Sequence, residues 1–191
     1  MFPGNPIRTA LVASTFLLLA TTGAHANEMV EKFYGSYVGS GSAEILDGSE
    51  TEERDLDVTV AAFKDHGFTL KWITVVRGAN GERTGEDVRR REIEENFVPV
   101  EDKENVFILA PEGGLFQKSE LPNPLLGEAM RWASIKDNDM TVYSLAINET
   151  GGSELQVYRR SLTEKGMDIT FMRLKDEAVK VRMTGTLVRT Q

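Results

Sequence analysis

The sequence predicts an all-β protein, an antiparallel meander of about eight to ten strands closed into a single soluble β-barrel. Two observations carry this. The first is the stretch from Arg54 to Arg77. There Leu56, Val58 and Val60 alternate with Asp55, Asp57 and Thr59, and after Lys64-Asp65-His66-Gly67, Phe68, Leu70 and Trp72 alternate with Thr69 and Lys71. A period of two sends one set to a buried face and the other to water, and Asp-His-Gly supplies the polar residues and the left-handed position of a short hairpin turn. The second is that the rest of the chain repeats this unit at short, even spacing. A meander of that length must manage its edge strands, and closure removes them.

Taken in order, residues 27–32 suit one helical turn leading into the domain. Phe33 to Ile45 follows as a strand with Gly35, Gly39 and Gly41 on one face, the mark of close backbone approach or a sharp bend. Leu46 to Glu53 is a polar turn, then comes the hairpin, then a glycine-rich loop from Gly78 to Glu86. Asp87 to Val98 has the charge content of a helix, but Arg89, Arg91, Ile93 and Phe97 share one parity and Pro99 ends the run, which favours a strand. Glu104 to Ala110 is a short apolar strand. Pro111 to Arg131 breaks the rhythm with prolines and glycines yet keeps Leu115, Phe116, Leu121, Leu125 and Leu126, as in a plug, a lid or a docking loop. Strands then resume at Trp132–Lys136, Met140–Asn148, Glu154–Leu162, Met167–Leu174 and Val179–Arg189, with short polar turns between them.

Residues 1–26 read as a cleaved signal peptide: Arg8, the apolar run from Ala10 to Ala20, and Ala24-His25-Ala26 as the cleavage site. The expected mature chain, residues 27–191, is one domain in the periplasm or outside the cell, with no membrane span of its own. The formal net charge is −8, and losing Arg8 makes it −9, which disfavours nucleic acid and anionic membranes as partners. An outer-membrane barrel is disfavoured by Asp57, Lys71, Asp168 and Lys180 on the exposed parity. There is no cysteine, and only His66 remains of two histidines once the leader is gone. Thiol nucleophiles, histidine-based triads and Cys/His zinc sites are therefore out of reach, and neither metal nor cofactor is expected.

The start of the expected mature chain is similar to the first strand of calycin-type barrels. Lipocalins open with a helical turn and Gly-x-Trp, and nitrobindin-like barrels with Gly-x-Trp-x-Gly-x-Gly. Here Gly35-Ser36-Tyr37-Val38-Gly39-Ser40-Gly41 has Tyr37 in the tryptophan position. The resemblance covers one strand and implies an interior cavity for an apolar or amphipathic molecule. Its heme chemistry does not carry over, because no histidine follows His66.

Parity then nominates interior residues. Arg159 shares a face with Leu155 and Val157, Arg173 with Ile169 and Phe171, and Arg89 and Arg91 with Ile93 and Phe97. If those faces point inward, guanidinium groups enter an apolar lumen and call for a carboxylate-headed ligand; otherwise they reach solvent or pair with Glu92, Glu94 or Glu154. The predicted ligand-binding set is Arg91, Arg159, Arg173, Trp72 and Phe171. No catalytic constellation converges: Asp55 and Asp57 face water, and Glu112 is isolated, so an enzyme is not expected. The alternative function is a cell-envelope interaction or assembly factor that binds a protein partner through the 111–131 loop around a filled, ligand-free barrel.

Overall fold

Ten strands follow one another as antiparallel neighbours, and the last pairs with the first. In a computed structural model they are β1 (Gly35–Ile45), β2 (Glu50–Phe63), β3 (Gly67–Val76), β4 (Arg89–Pro99), β5 (Val106–Leu109), β6 (Met130–Lys136), β7 (Asp139–Ile147), β8 (Ser153–Leu162), β9 (Gly166–Lys175) and β10 (Ala178–Arg189). The residues described are 28–190 apart from 47, 49, 65, 79, 80 and 112–121. The expected leader, Glu112, and the central part of the 111–131 loop lie outside them. The expected closed antiparallel barrel is what forms, and the 87–98 stretch is strand from Arg89 onward. Among the described residues no helix is long and apolar enough to cross a membrane.

Closure depends on small residues where the ends of the sheet meet. β1 pairs with β10 from Tyr37↔Arg189 to Ile45↔Val181. A Cβ on Gly39 would lie 2.1 Å from the Thr186 carbonyl oxygen, and one on Gly41 2.4 Å from that of Thr184. Only glycine lets β10 approach this closely, so the glycine face read from the sequence is the barrel's seam.

One end is packed shut. Residues 28–31 form a helical turn that buries Val30 and Phe33 against the barrel floor. The Tyr37 hydroxyl donates to the Phe33 carbonyl at 2.9 Å, and Arg189 donates to the carbonyls of Lys32 and Tyr34. Above this cap, Phe68 stacks on Phe97 with centroids 5.0 Å apart and meets Phe107 edge-on. Val60, Leu70, Ile135, Met140, Met167 and Leu187 complete a core of fully buried side chains. Burying such side chains contributes about 1.5–3 kcal/mol each, and the floor therefore supplies stability in a chain without disulfides. The β1–β2, β3–β4, β7–β8 and β9–β10 connections lie at the opposite end, where the lumen opens.

The outer wall carries Asp57, Lys71 and Asp168 as expected, with Lys71 paired to Glu92 at 2.6 Å. It also carries an apolar belt. Trp132 pairs with Tyr143, Tyr143 with Val157 and Val157 with Met172 in one row; Met130, Leu145, Leu155 and Leu174 make the next. The Trp132 and Tyr143 rings stack at 5.0 Å. These side chains shield one another laterally, as cross-strand neighbours do.

Candidate functional site

Between the packed floor and the open end lies a cavity of about 430 Å³. That volume is within the usual range for a small-molecule site. Its inner wall follows from register, because directly paired residues on neighbouring strands share a face. β3 contributes Trp72, which pairs with Val58 on β2 and Ile93 on β4. β8 contributes Gln156, Tyr158 and Arg160, which pair with Arg173, Phe171 and Ile169 on β9. Tyr158 stacks on Phe171 at 4.4 Å and leans on Trp72 at 5.8 Å, so three aromatic rings form a continuous patch of wall.

Arg160 is the central group. It is 2 % exposed, and its Nε and Nη1 have no hydrogen-bond partner. Its guanidinium carbon lies 5.4 Å from the Trp72 ring centroid and 5.9 Å from that of Tyr158. The ring faces offer the cation some attraction, about 0.5–2 kcal/mol each, but no hydrogen bond. Burial pushes the Arg160 pKa down to about 10, so the group remains a cation at neutral pH. Burial likewise pushes Tyr158 up, against the pull of Arg91 and Arg160, and the phenol stays neutral. Its hydroxyl donates to Gln156 Oε1 at 2.8 Å, and Gln156 Nε2 donates to Glu154 Oε1 at 2.6 Å, a chain that climbs β8 towards the mouth.

Two acids inside the barrel are already engaged. Glu52 bridges Arg54, at 2.5 Å, and Arg89. Burial alone raises its pKa, but hydrogen bonds from both arginines outweigh this and hold the carboxyl below its usual range. Glu95, nearly buried on β4, pairs with Arg131 on β6. Arg91 and Arg173 line the cavity and make no ion pair among the described residues.

Of the residues predicted from sequence, Trp72, Arg91, Phe171 and Arg173 all line this cavity. Arg159 does not, and that expectation is corrected. It lies on the outer wall, 54 % exposed, and binds Asp139 at 2.5 Å. Its face is indeed that of Leu155 and Val157, but this face is the outer belt, held by Tyr143, Leu145, Met172 and Leu174 across the strands. The inward arginine of the pair is Arg160. Arg54, Tyr158 and the Glu95–Arg131 pair were also not singled out. Among the described residues no group of three His, Asp or Glu side chains is placed to hold a metal ion.

No known protein family matches the chain, and no curated protein matches it. Among solved structures it is similar to the S-type phycobiliprotein lyase CPES of Guillardia theta, with a TM-score of 0.38 and 12 % identity over 91 % of this chain and 99 % of that one. The class rests on the barrel itself: ten antiparallel strands in meander order around an open-ended cavity.

Proposed function

We propose that this chain is an exported, soluble β-barrel that holds a small amphipathic molecule, apolar in body and carboxylate-headed, in its lumen. One observation carries the reading: Arg160 is a buried cation with unpartnered N–H groups, facing a cavity walled by Trp72, Tyr158 and Phe171. A guanidinium cannot shed its charge at neutral pH, so an acid group from outside is the partner that satisfies it. The planar fork suits a carboxylate, and the aromatic patch suits an apolar body. The role is binding rather than catalysis, with no resident cofactor or metal. Export to the periplasm or beyond is supported by the leader-like residues 1–26.

Native mass spectrometry of the mature chain, purified gently from the periplasm and then extracted with solvent, tests this. A reproducible added mass, released as an amphipathic acid, is the expected result. A bare mass together with no binding of any fatty or aromatic acid by titration overturns it.

A second reading has its own observation. Leu125 and Leu126, in a 3-10 turn at Pro124–Leu126, are 70 % and 75 % exposed. That turn packs near β7, beside the outer apolar belt. A cell-envelope protein partner docking there predicts that Leu125→Ser/Leu126→Ser abolishes recovery of the partner while ligand retention is unchanged.

A further inference from the structure

We propose that the lumen is built for a ligand with two acid heads, one seated deep and one at the mouth, joined by a flat apolar middle. This rests on the reading that the lumen holds an amphipathic acid, and it adds the number and placing of the acid groups. The donors that lack acids fall into two sets. The deep set is Arg160, with Nε and Nη1 unpartnered between the rings of Trp72 and Tyr158. The mouth set is Arg91, exposed at the opening, and half-buried Arg173, which line the same cavity and have no ion pair among the described residues.

The two sets spring from different depths of the wall. Arg173 pairs with Gln156, and Arg160 lies four residues further down β8. At about 3.3 Å per strand residue, that is roughly 13 Å of wall. A single carboxylate at Arg160 leaves the mouth arginines to solvent, and one at the mouth leaves Arg160 buried and bare. Internal acids do not close the gap: Glu52 is held by Arg54 and Arg89, Glu95 by Arg131, and Glu154, higher on the inner face of β8, accepts from Gln156 and makes no ion pair with either set among the described residues. Between the two sets runs the Trp72–Tyr158–Phe171 patch, with contacts of 5.8 and 4.4 Å. Stacked rings favour a planar, conjugated or aromatic middle over a coiled aliphatic chain.

The test uses trans-stilbene bearing a carboxylate at one end or at both, titrated into the solvent-extracted mature protein by calorimetry. Because charge-assisted hydrogen bonds to arginine are stronger than neutral ones, the diacid is expected to bind about tenfold tighter than the monoacid. Arg160→Met and the double variant Arg91→Gln/Arg173→Gln should each bring the diacid down to the monoacid's affinity. If Arg160→Met does not fold, the mouth variant decides, since it removes no fully buried charge. Equal affinity for the two acids, or a diacid preference that survives the mouth variant, overturns the two-headed ligand and leaves the one-headed reading standing. Binding of neither acid by a folded protein overturns both.

Discussion

Replacing Arg160 by methionine should stabilise the empty protein. The reasoning is an imbalance at one residue. Two buried N–H groups with no partner disfavour the folded state by about 1–3 kcal/mol each. The two ring contacts return roughly 0.5–2 kcal/mol each. Methionine keeps most of the volume and has no hydrogen-bond donor to satisfy. The expected net gain is about 1–3 kcal/mol, the range seen when buried ions give way to apolar side chains. For a domain of this size that corresponds to a rise in Tm of roughly 2–12 °C. Differential scanning calorimetry of solvent-extracted protein reads it directly. The wild type should regain the difference when the bound acid is returned, because only it can form the new ion pair. A fall in Tm of several degrees on Arg160→Met in the empty protein would refute the reasoning, for it would mean that the guanidinium already has a partner inside the barrel.

Four further outcomes follow from the same geometry. Gly39→Ala places a methyl group on the Thr186 carbonyl and should cost about 1–3 kcal/mol or more, measured by urea unfolding. Arg159→Ala should leave ligand retention unchanged and Tm nearly so, because its pair with Asp139 is in water; loss of retention in mass spectrometry would place this arginine in the site after all. Asp55, held by Arg83 and Arg77, has its pKa lowered from 3.8 to about 2. Its folded-state pKa is depressed, so its contribution is present above about pH 4 and disappears as pH falls through 2; the Tm gap between wild type and Asp55→Asn should close in that window, and a constant gap down to pH 2 contradicts it. Trp72→Phe should abolish the fluorescence change on ligand addition while Trp132→Phe preserves it, because only Trp72 reaches the lumen.

Most of the barrel was legible because its strands alternate cleanly. β2 and β3 declare their inner faces through Leu56, Val58, Phe68 and Leu70, and the turn between them is short. β8 is where reading by hydropathy failed. Both of its faces carry apolar residues, and Leu155 and Val157 belong to the outer belt rather than the lumen. Hydropathy alone therefore picked Arg159 over Arg160. Register would have corrected it. The short turn after Leu162 sets Leu162 opposite Met167, which places Arg160 opposite Ile169 and Arg159 opposite Thr170. Ile169 was already read as facing in, so the inward arginine was available from turn length and pairing. The Glu95–Arg131 pair was not available that way, since it joins β4 to β6 past the short strand β5. Alternation places each residue on a face but does not say which strands will be brought within reach across a lumen.

The pairing of β1 with β10 has a kinetic consequence. Ser36 and Thr190, which share a hydrogen bond at the seam, are 154 residues apart. Whatever the route to the fold, β1 keeps an uncovered edge until a strand 154 residues later arrives. During that interval the chain is an open, curling ribbon with two free edges, the arrangement most prone to pair with a neighbour. The lumen has no complete wall until the seam closes. Ligand uptake in a pulse-chase experiment would then serve as a clock for the final step of folding, starting only after the last strand has docked.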